Sequence, residues 1–276
     1  MKLSIFGLVA LAILVLGSAQ TLAQNYITNA ASMPGEAPGT VSVLDTSTNA
    51  ITATIPVGIT PWGVAVSHDG ARVYITNRDS NDVSVINTAT NTVVATIPLD
   101  AGGIANGIAV SPDDTRVYAA DFATSDVTVI NAKTDAAIAT IPVGGRPFGV
   151  AISPDGSKVW VANGGLSLID TTSYAVTTVA IPGCTQTTGV AVTPDGKKVF
   201  VLDIDTGTVC VLDVANNSVT NIPIGASAVP LAIAVSPDGT RVYVTGFFQT
   251  LRQSLIRRRI PSAQRSPSAI IRLVYR

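Results

Sequence analysis

The sequence predicts an all-β fold, a β-propeller of four-stranded antiparallel blades, from three observations. First, residues 61–97 contain four short runs rich in Val, Ile, Thr and Tyr: Val64–Ser67, Arg72–Asn77, Val83–Asn87 and Thr92–Ile97. Runs of this kind, bounded by turn residues, read as strands. Second, the unit recurs. Its third run begins at Val41, Val83, Val127, Leu166 and Val209, spacings of 42, 44, 39 and 43 residues. One four-stranded sheet cannot bury both faces alone, so a repeat of this period predicts blades stacked around an axis. Third, the first turn is Ser-His-Asp-Gly in one copy and a Ser/Thr-Pro-Asp-Gly or Ser-Pro-Asp-Asp variant in the others. Proline presets φ, aspartate bonds its own backbone and glycine takes positive φ.

Taken in order, the first blade holds Tyr26–Asn29, a Gly/Pro-rich loop over 30–40, then Val41–Asp45 and Ala50–Ile55. It has three strands and lacks the innermost, which a C-terminal strand is expected to supply. Four complete blades begin near Pro61, Asn106, Pro147 and Thr188. A last one starts at Leu231, runs through Tyr243–Gly246 and stops as a half blade. The propeller is therefore expected to be incomplete, with about five blades present from a six- or seven-blade parent.

Tyr26-Ile27-Thr28-Asn29, Tyr74-Ile75-Thr76-Asn77 and Tyr243-Val244-Thr245, with the Ser-Pro-Asp-Gly turns around them, resemble the YVTN family of β-propeller repeat proteins. The resemblance covers about residues 25–246. It implies that the Gly-Val-Ala-Val-type strand of each blade is innermost. It also implies a surface-layer-like exported protein, while other propellers similar to it are lactonases and quinone-linked dehydrogenases. Fold alone does not choose between these.

Met1–Ala23 reads as a secretory signal peptide, with Lys2 as the positive start and an apolar run over Ile5–Leu16. The run is short for a membrane span, so no span is expected after cleavage, and the chain is expected to be secreted, periplasmic or at the cell surface. Residues 24–248 are expected to be the propeller, and residues 249–276 an aberrant basic tail with seven Arg and no acid. Back-translation of Leu255–Pro261 with suitable codons permits an Asp-Thr-Ala-Thr-Asn-Thr turn in another frame. The tail is thus expected to be a frameshifted reading of further propeller, either packed as a makeshift element or disordered. Setting the tail aside leaves ten basic against eighteen acidic residues, a charge of about −8. A nucleic-acid partner is not expected.

Seventeen Asp, one Glu (Glu36) and one His (His68) are a thin supply of general acids and bases. No phosphate loop, nucleophile elbow, haem attachment or zinc spacing occurs, and no cofactor is expected. His68 takes a turn proline's place and reads as an exposed turn residue. The recurring Asp69, Asp113, Asp155, Asp195 and Asp238 read as turn formers, as do Asp45, Asp170 and Asp213. Asp203-Ile-Asp205-Thr-Gly207 opens like a calcium loop but lacks the rest of the ligand set. Cys184 and Cys210 either form a disulfide or stay as thiols. Two strand spacings separate the strands involved, about 10 Å, beyond disulfide reach unless the loop folds outward.

The residues that vary between repeats on the loop face are the candidates for ligand binding. Trp62 and Phe148 hold equivalent positions before Gly63 and Gly149, at the channel mouth, where they either stack on a ligand or pack between blades. Arg78, Asp79, Asp121, Arg146 and Asp205 are expected on the same face. The expected function is a non-enzymatic binding or scaffold domain for a protein or small-molecule ligand. A propeller enzyme at the channel mouth is the alternative, and it would need Asp and Arg side chains converging on one pocket.

Overall fold

The Ser-Pro-Asp-Gly stretches fold as self-bonded turns and set the first hairpin of each blade. The computed structural model describes residues 24–30, 37–225, 228–248 and 268–274. In it, Ser67 Oγ donates to Asp69 Oδ1 at 2.6 Å, and that oxygen accepts the Ala71 N–H at 2.9 Å. Gly70 takes the left-handed position at φ 71°. The Ser111–Asp113, Ser153–Asp155, Thr193–Asp195 and Ser236–Asp238 pairs repeat the bond. Asp45, Asp170 and Asp213 cap the second hairpin turns through backbone amides two and three residues on.

These turns join antiparallel strands into six sheets among the described residues. The first holds β1 (Gln24–Asn29), β2 (Pro38–Asp45) and β3 (Ala50–Ile59). The second holds β4 (Pro61–Val66), β5 (Arg72–Asn77), β6 (Asp82–Asn87) and β7 (Thr92–Pro98). The third holds β8 (Ala105–Val110), β9 (Arg116–Asp121), β10 (Asp126–Asn131) and β11 (Ala136–Pro142). The fourth holds β12 (Gly149–Ile152), β13 (Lys158–Ala162), β14 (Leu166–Asp170) and β15 (Val176–Val179). The fifth holds β16 (Thr187–Val192), β17 (Lys198–Asp203), β18 (Thr208–Asp213) and β19 (Val219–Pro223). The sixth holds β20 (Ala228–Val235), β21 (Arg241–Phe248) and β22 (Ser268–Val274).

The strands β4, β8, β12, β16 and β20 pack on one another in chain order, which makes the first strand of each blade innermost. The chain is an all-β propeller whose sheets do not close into a ring. Second and third strands of the four complete blades are buried on both faces, because each of these blades is covered by a neighbour on either side. Outer strands such as β7 alternate between exposed and half-buried residues. The core is therefore a series of apolar layers between blades. Tyr26, Val41 and Ile55 of the first sheet meet Val64, Val73 and Ile75 of the second. Phe200 and Leu202 of the fifth meet Ile233 and Val244 of the sixth.

One expectation changes. The last blade is not a half blade, because Ser268–Val274 pairs antiparallel along β21, from Ser268 opposite Phe247 to Val274 opposite Arg241. This segment of the basic tail is rich in Ile, Leu and Val, and an unpaired strand edge recruits such a segment through its free N–H and C=O groups. The first blade does hold three strands in the order expected. The expected signal peptide, residues 1–23, and the stretch 249–267 lie outside the described residues. No helix among the described residues is long and apolar enough to cross a membrane.

Candidate functional site

The loop face is built by a bulge that recurs on the inner strand. Register shifts fall between Pro61 and Val64, Ala105 and Ile108, Thr187 and Val190, and Pro230 and Ala232. At Trp62, Asn106 and Thr188 the bulge takes the residue before the glycine out of pairing with its own blade, and at Trp62, Asn106, Phe148 and Pro230 the carbonyl is taken by the blade before. Thr28 Oγ1 donates to the Trp62 carbonyl at 3.3 Å and Thr76 Oγ1 to that of Asn106 at 2.5 Å. The Gly107 N–H donates to the Phe148 carbonyl at 2.8 Å, and Thr188 Oγ1 to that of Pro230 at 3.1 Å. The inner strands are close enough that a Cβ at Gly107 would lie 2.4 Å from the Phe148 oxygen.

Four of the seven residues expected at the loop face gather there around one aromatic contact. The rings of Trp62 and Phe148 meet edge to face, with centroids 5.7 Å apart and planes at 89°. They belong to the second and fourth blades. Arg78 lies over the Trp62 ring at 5.1 Å, positioned by its N–H on the Thr60 carbonyl. Arg146 lies over the ring of Phe122 at 5.4 Å, a partner the sequence reading did not single out. Both guanidiniums sit on aromatic faces, where the ring quadrupole attracts a cation.

Asn106 holds the Trp62 and Phe148 position in the blade between them, so the two rings meet across it. It is fully buried, and neither Nδ2 nor Oδ1 of its amide has a hydrogen-bond partner. Buried amides left unpaired are costly. No residue type at this position signals a site in the sequence. The signal is that asparagine breaks a run of Trp, Phe, Thr and Pro at one repeat position.

Asp121 does not decorate the face as expected. It is fully buried at the end of β9, and its Oδ1 accepts the N–H groups of Ile104 at 2.7 Å and Ala123 at 3.1 Å. The entry loop folds down over it, which is why a side chain expected to be exposed is covered. Asp203 does the same work in the fifth blade. Burial alone would raise its carboxyl, but amides of Gln186, Thr206 and Thr185 hold it below the usual range. Asp205 is exposed in the loop between β17 and β18 of the fifth blade, away from the aromatic cluster of the second to fourth.

Cys184 and Cys210 are joined as a disulfide, with Cα atoms 6.5 Å apart. The loop does fold outward: Asn221 Nδ2 on the outer strand β19 holds the Pro182 carbonyl at 2.9 Å, which lays Cys184 over β18. His68 is an exposed turn residue. On the opposite face, the turns of the third and fourth blades enclose a cavity of about 330 Å³ lined by Ser111, Arg116, Tyr118, Asp155 and Thr171. Arg116 is committed there to the blade interface, donating to the Thr171 carbonyl at 2.6 Å and stacking on Tyr174. No group of three or more His, Cys, Asp or Glu side chains is placed to hold a metal among the described residues.

Comparison with known proteins agrees with the fold. A family model described as a domain of unknown function, DUF5074, matches residues 64–199. No curated protein sequence matches the chain. Hydrazine synthase of Kuenenia stuttgartiensis superposes with a TM-score of 0.70 at 23% identity, covering 80% of this chain and 70% of that one. A Bacteroides uniformis protein provisionally assigned as a 6-phosphogluconolactonase gives 0.66 at 16% identity, over 80% and 74%. A functionally unknown protein from Desulfotomaculum acetoxidans gives 0.64 at 22% identity, over 74% and 68%. At these identities the likeness is one of fold.

Proposed function

We propose that the chain is an exported, non-enzymatic binding module of the YVTN propeller type, whose loop face takes an acidic peptide segment. The carrying observation is the Trp62–Phe148 contact, with Arg78 and Arg146 beside it. The guanidiniums are suited to carboxylates, and the rings supply apolar contact area. Export is the reading of the Met1–Ala23 pattern and agrees with the absence of motifs for cytosolic chemistry.

The test uses Trp62 as reporter. In a Trp160→Phe background, Trp62 is the remaining tryptophan, since the chain has two. Titration with hexaglutamate is expected to change its emission saturably and to weaken with added salt. Arg78→Ala is expected to weaken binding about tenfold, the size of one exposed charge–aromatic arrangement plus a carboxylate contact. Hexalysine producing the same change, or Arg78→Ala leaving the titration unaltered, would overturn the proposal.

A further inference from the structure

A second polar cluster lies between the second and third blades, beneath the loop face and separate from the aromatic pair. In each of the four complete blades the last residue of the second strand faces the first residue of the third. In the second blade that pair is Asn77 opposite Asp82, and Asn77 Nδ2 donates to Asp82 Oδ1 at 2.6 Å. In the fifth it is Asp203 opposite Thr208. In the third blade it is Asp121 opposite Asp126, two carboxylates with no donor between them. Residues directly opposite in an antiparallel pair project to the same face of the sheet.

Both carboxylates are buried, Asp121 at 0% and Asp126 at 6% exposure. Each leaves one oxygen without a partner, Asp121 Oδ2 and Asp126 Oδ1. A third unpaired oxygen, Asn81 Oδ1, belongs to an amide whose Nδ2 donates to the Asp100 carbonyl at 2.6 Å. The same amide adjoins Asp121: a Cβ on Gly103 would meet both Asp121 Oδ2 and Asn81 Nδ2. Gly103 therefore packs closely on these groups, where a side chain would not fit. Burial pushes the Asp126 carboxyl up, the Thr124 hydroxyl opposes this, and the charges of Asp121 and Asp100 push it further up. Two buried anions side by side need a counter-charge. Carboxylate and amide oxygens are hard ligands, matched to a hard cation rather than to zinc or copper.

We propose that Asp121 and Asp126, with Asn81 Oδ1, form a binding site for a hard divalent cation, Ca2+ in chemical character, that ties the second blade to the third. Two carboxylates neutralise the ion, and water completes its shell. The alternative counter-charge is a single proton shared by the two acids, and the experiment separates the two.

The full chain is freed of metal with EDTA and melted, followed by circular dichroism, with and without CaCl2 at neutral pH. Calcium at about a hundred times its dissociation constant is expected to raise the melting temperature by about 5–10 °C. Calorimetric titration with CaCl2 is expected to show one ion per chain. Asp126→Asn is expected to abolish the rise. Asp121→Asn rebuilds the Asn–Asp arrangement of the second blade, so it is expected to fold without metal and to lose the calcium response as well. A wild-type melting temperature unmoved by CaCl2 and MgCl2, together with stabilisation on acidification that Asp121→Asn abolishes, would establish the shared proton and overturn the proposal. An equal calcium response in wild type and both variants would also overturn it.

Discussion

The carboxylate of Asp114 accepts the backbone N–H of His68 at 2.7 Å and that of Asp69 at 2.9 Å, joining the turns of two adjacent blades. Both residues depart from the repeat. His68 stands where other turns have proline, and so has an N–H to give. Asp114, at φ 56°, stands where other turns have glycine. In the later blades the same place brings a turn proline against the next blade's glycine, as with Pro112 and Gly156. The two departures form one compensated contact. His68→Pro alone is expected to cost about 1 kcal/mol, the value of the lost hydrogen bond. The double variant His68→Pro, Asp114→Gly is expected to cost less than the sum of the two single changes. Urea unfolding of all four proteins checks the coupling, and strict additivity would contradict it.

Close approach of inner strands makes Gly107 intolerant of a side chain. Its added Cβ would meet the Phe148 oxygen at 2.4 Å, Gly149 Cα at 3.0 Å and Val150 N at 3.1 Å, all backbone. Gly107→Ala is expected to destabilise by about 2 kcal/mol or more, in the range of overpacked cores. Gly165→Ala is the control: its Cβ would find one neighbour, Asn163 Oδ1 at 4.0 Å. Thermal melts are expected to separate the two clearly.

The turn aspartates make the fold sensitive to acid. Bonds from the Ser153 hydroxyl first, then from the Ser157 amide and hydroxyl, lower Asp155 from 3.8 to about 2. Asp238 is lowered to about 2 by Ser236 and Thr240 in the same way. Asp69, Asp113 and Asp195 shift in the same direction, each first through its Ser or Thr hydroxyl. A carboxyl that ionises more readily in the folded chain stabilises the fold above its unfolded value, and that stabilisation is lost as pH falls through its folded value. Melting temperature is therefore expected to fall between pH 3.8 and about pH 2. Ser153→Ala should reduce the dependence in that window, since it removes the largest cause at Asp155.

The Cys184–Cys210 link closes a span of 26 residues. In the chain-entropy picture a loop of that size contributes about 3 kcal/mol through the unfolded state. Reduction is expected to lower the melting temperature by several degrees and Cys184→Ser by a similar amount. The Cys184→Ser variant should no longer respond to reductant.

Strands and turn chemistry were legible because each repeats: a five-fold recurrence of Ser/Thr-x-Asp encodes a local bond that needs no distant partner, whereas the inner place of the first strand was implied by the family resemblance. The disulfide could not be decided, because it depends on where Asn221 holds the Pro182 carbonyl, a contact 39 residues apart in sequence. Asp121 was misplaced for a related reason. Its variability suggested exposure, but the loop through Ile104 covers it, and loop paths carry no periodic signal. Trp62 and Phe148 were visible as equivalents. That they touch across Asn106 follows from blade curvature, which no single repeat contains. The strand Ser268–Val274 falls outside the repeat altogether and pairs through backbone groups that any β-prone segment presents.

The carbonyl clasps at Trp62, Asn106, Phe148 and Pro230 all run one way: the earlier blade reaches forward to the inner strand of its successor. An open array so linked behaves as a short one-dimensional polymer, in which every interior unit has two bonded neighbours and each end unit one. Amide hydrogen exchange would then grade along the chain, slowest around β9 and β13 and faster towards β1 and β21, with the ends fraying while the middle stays shut. The same asymmetry gives the array a polarity, since each of these clasps has its donor in the earlier blade and its acceptor in the later one.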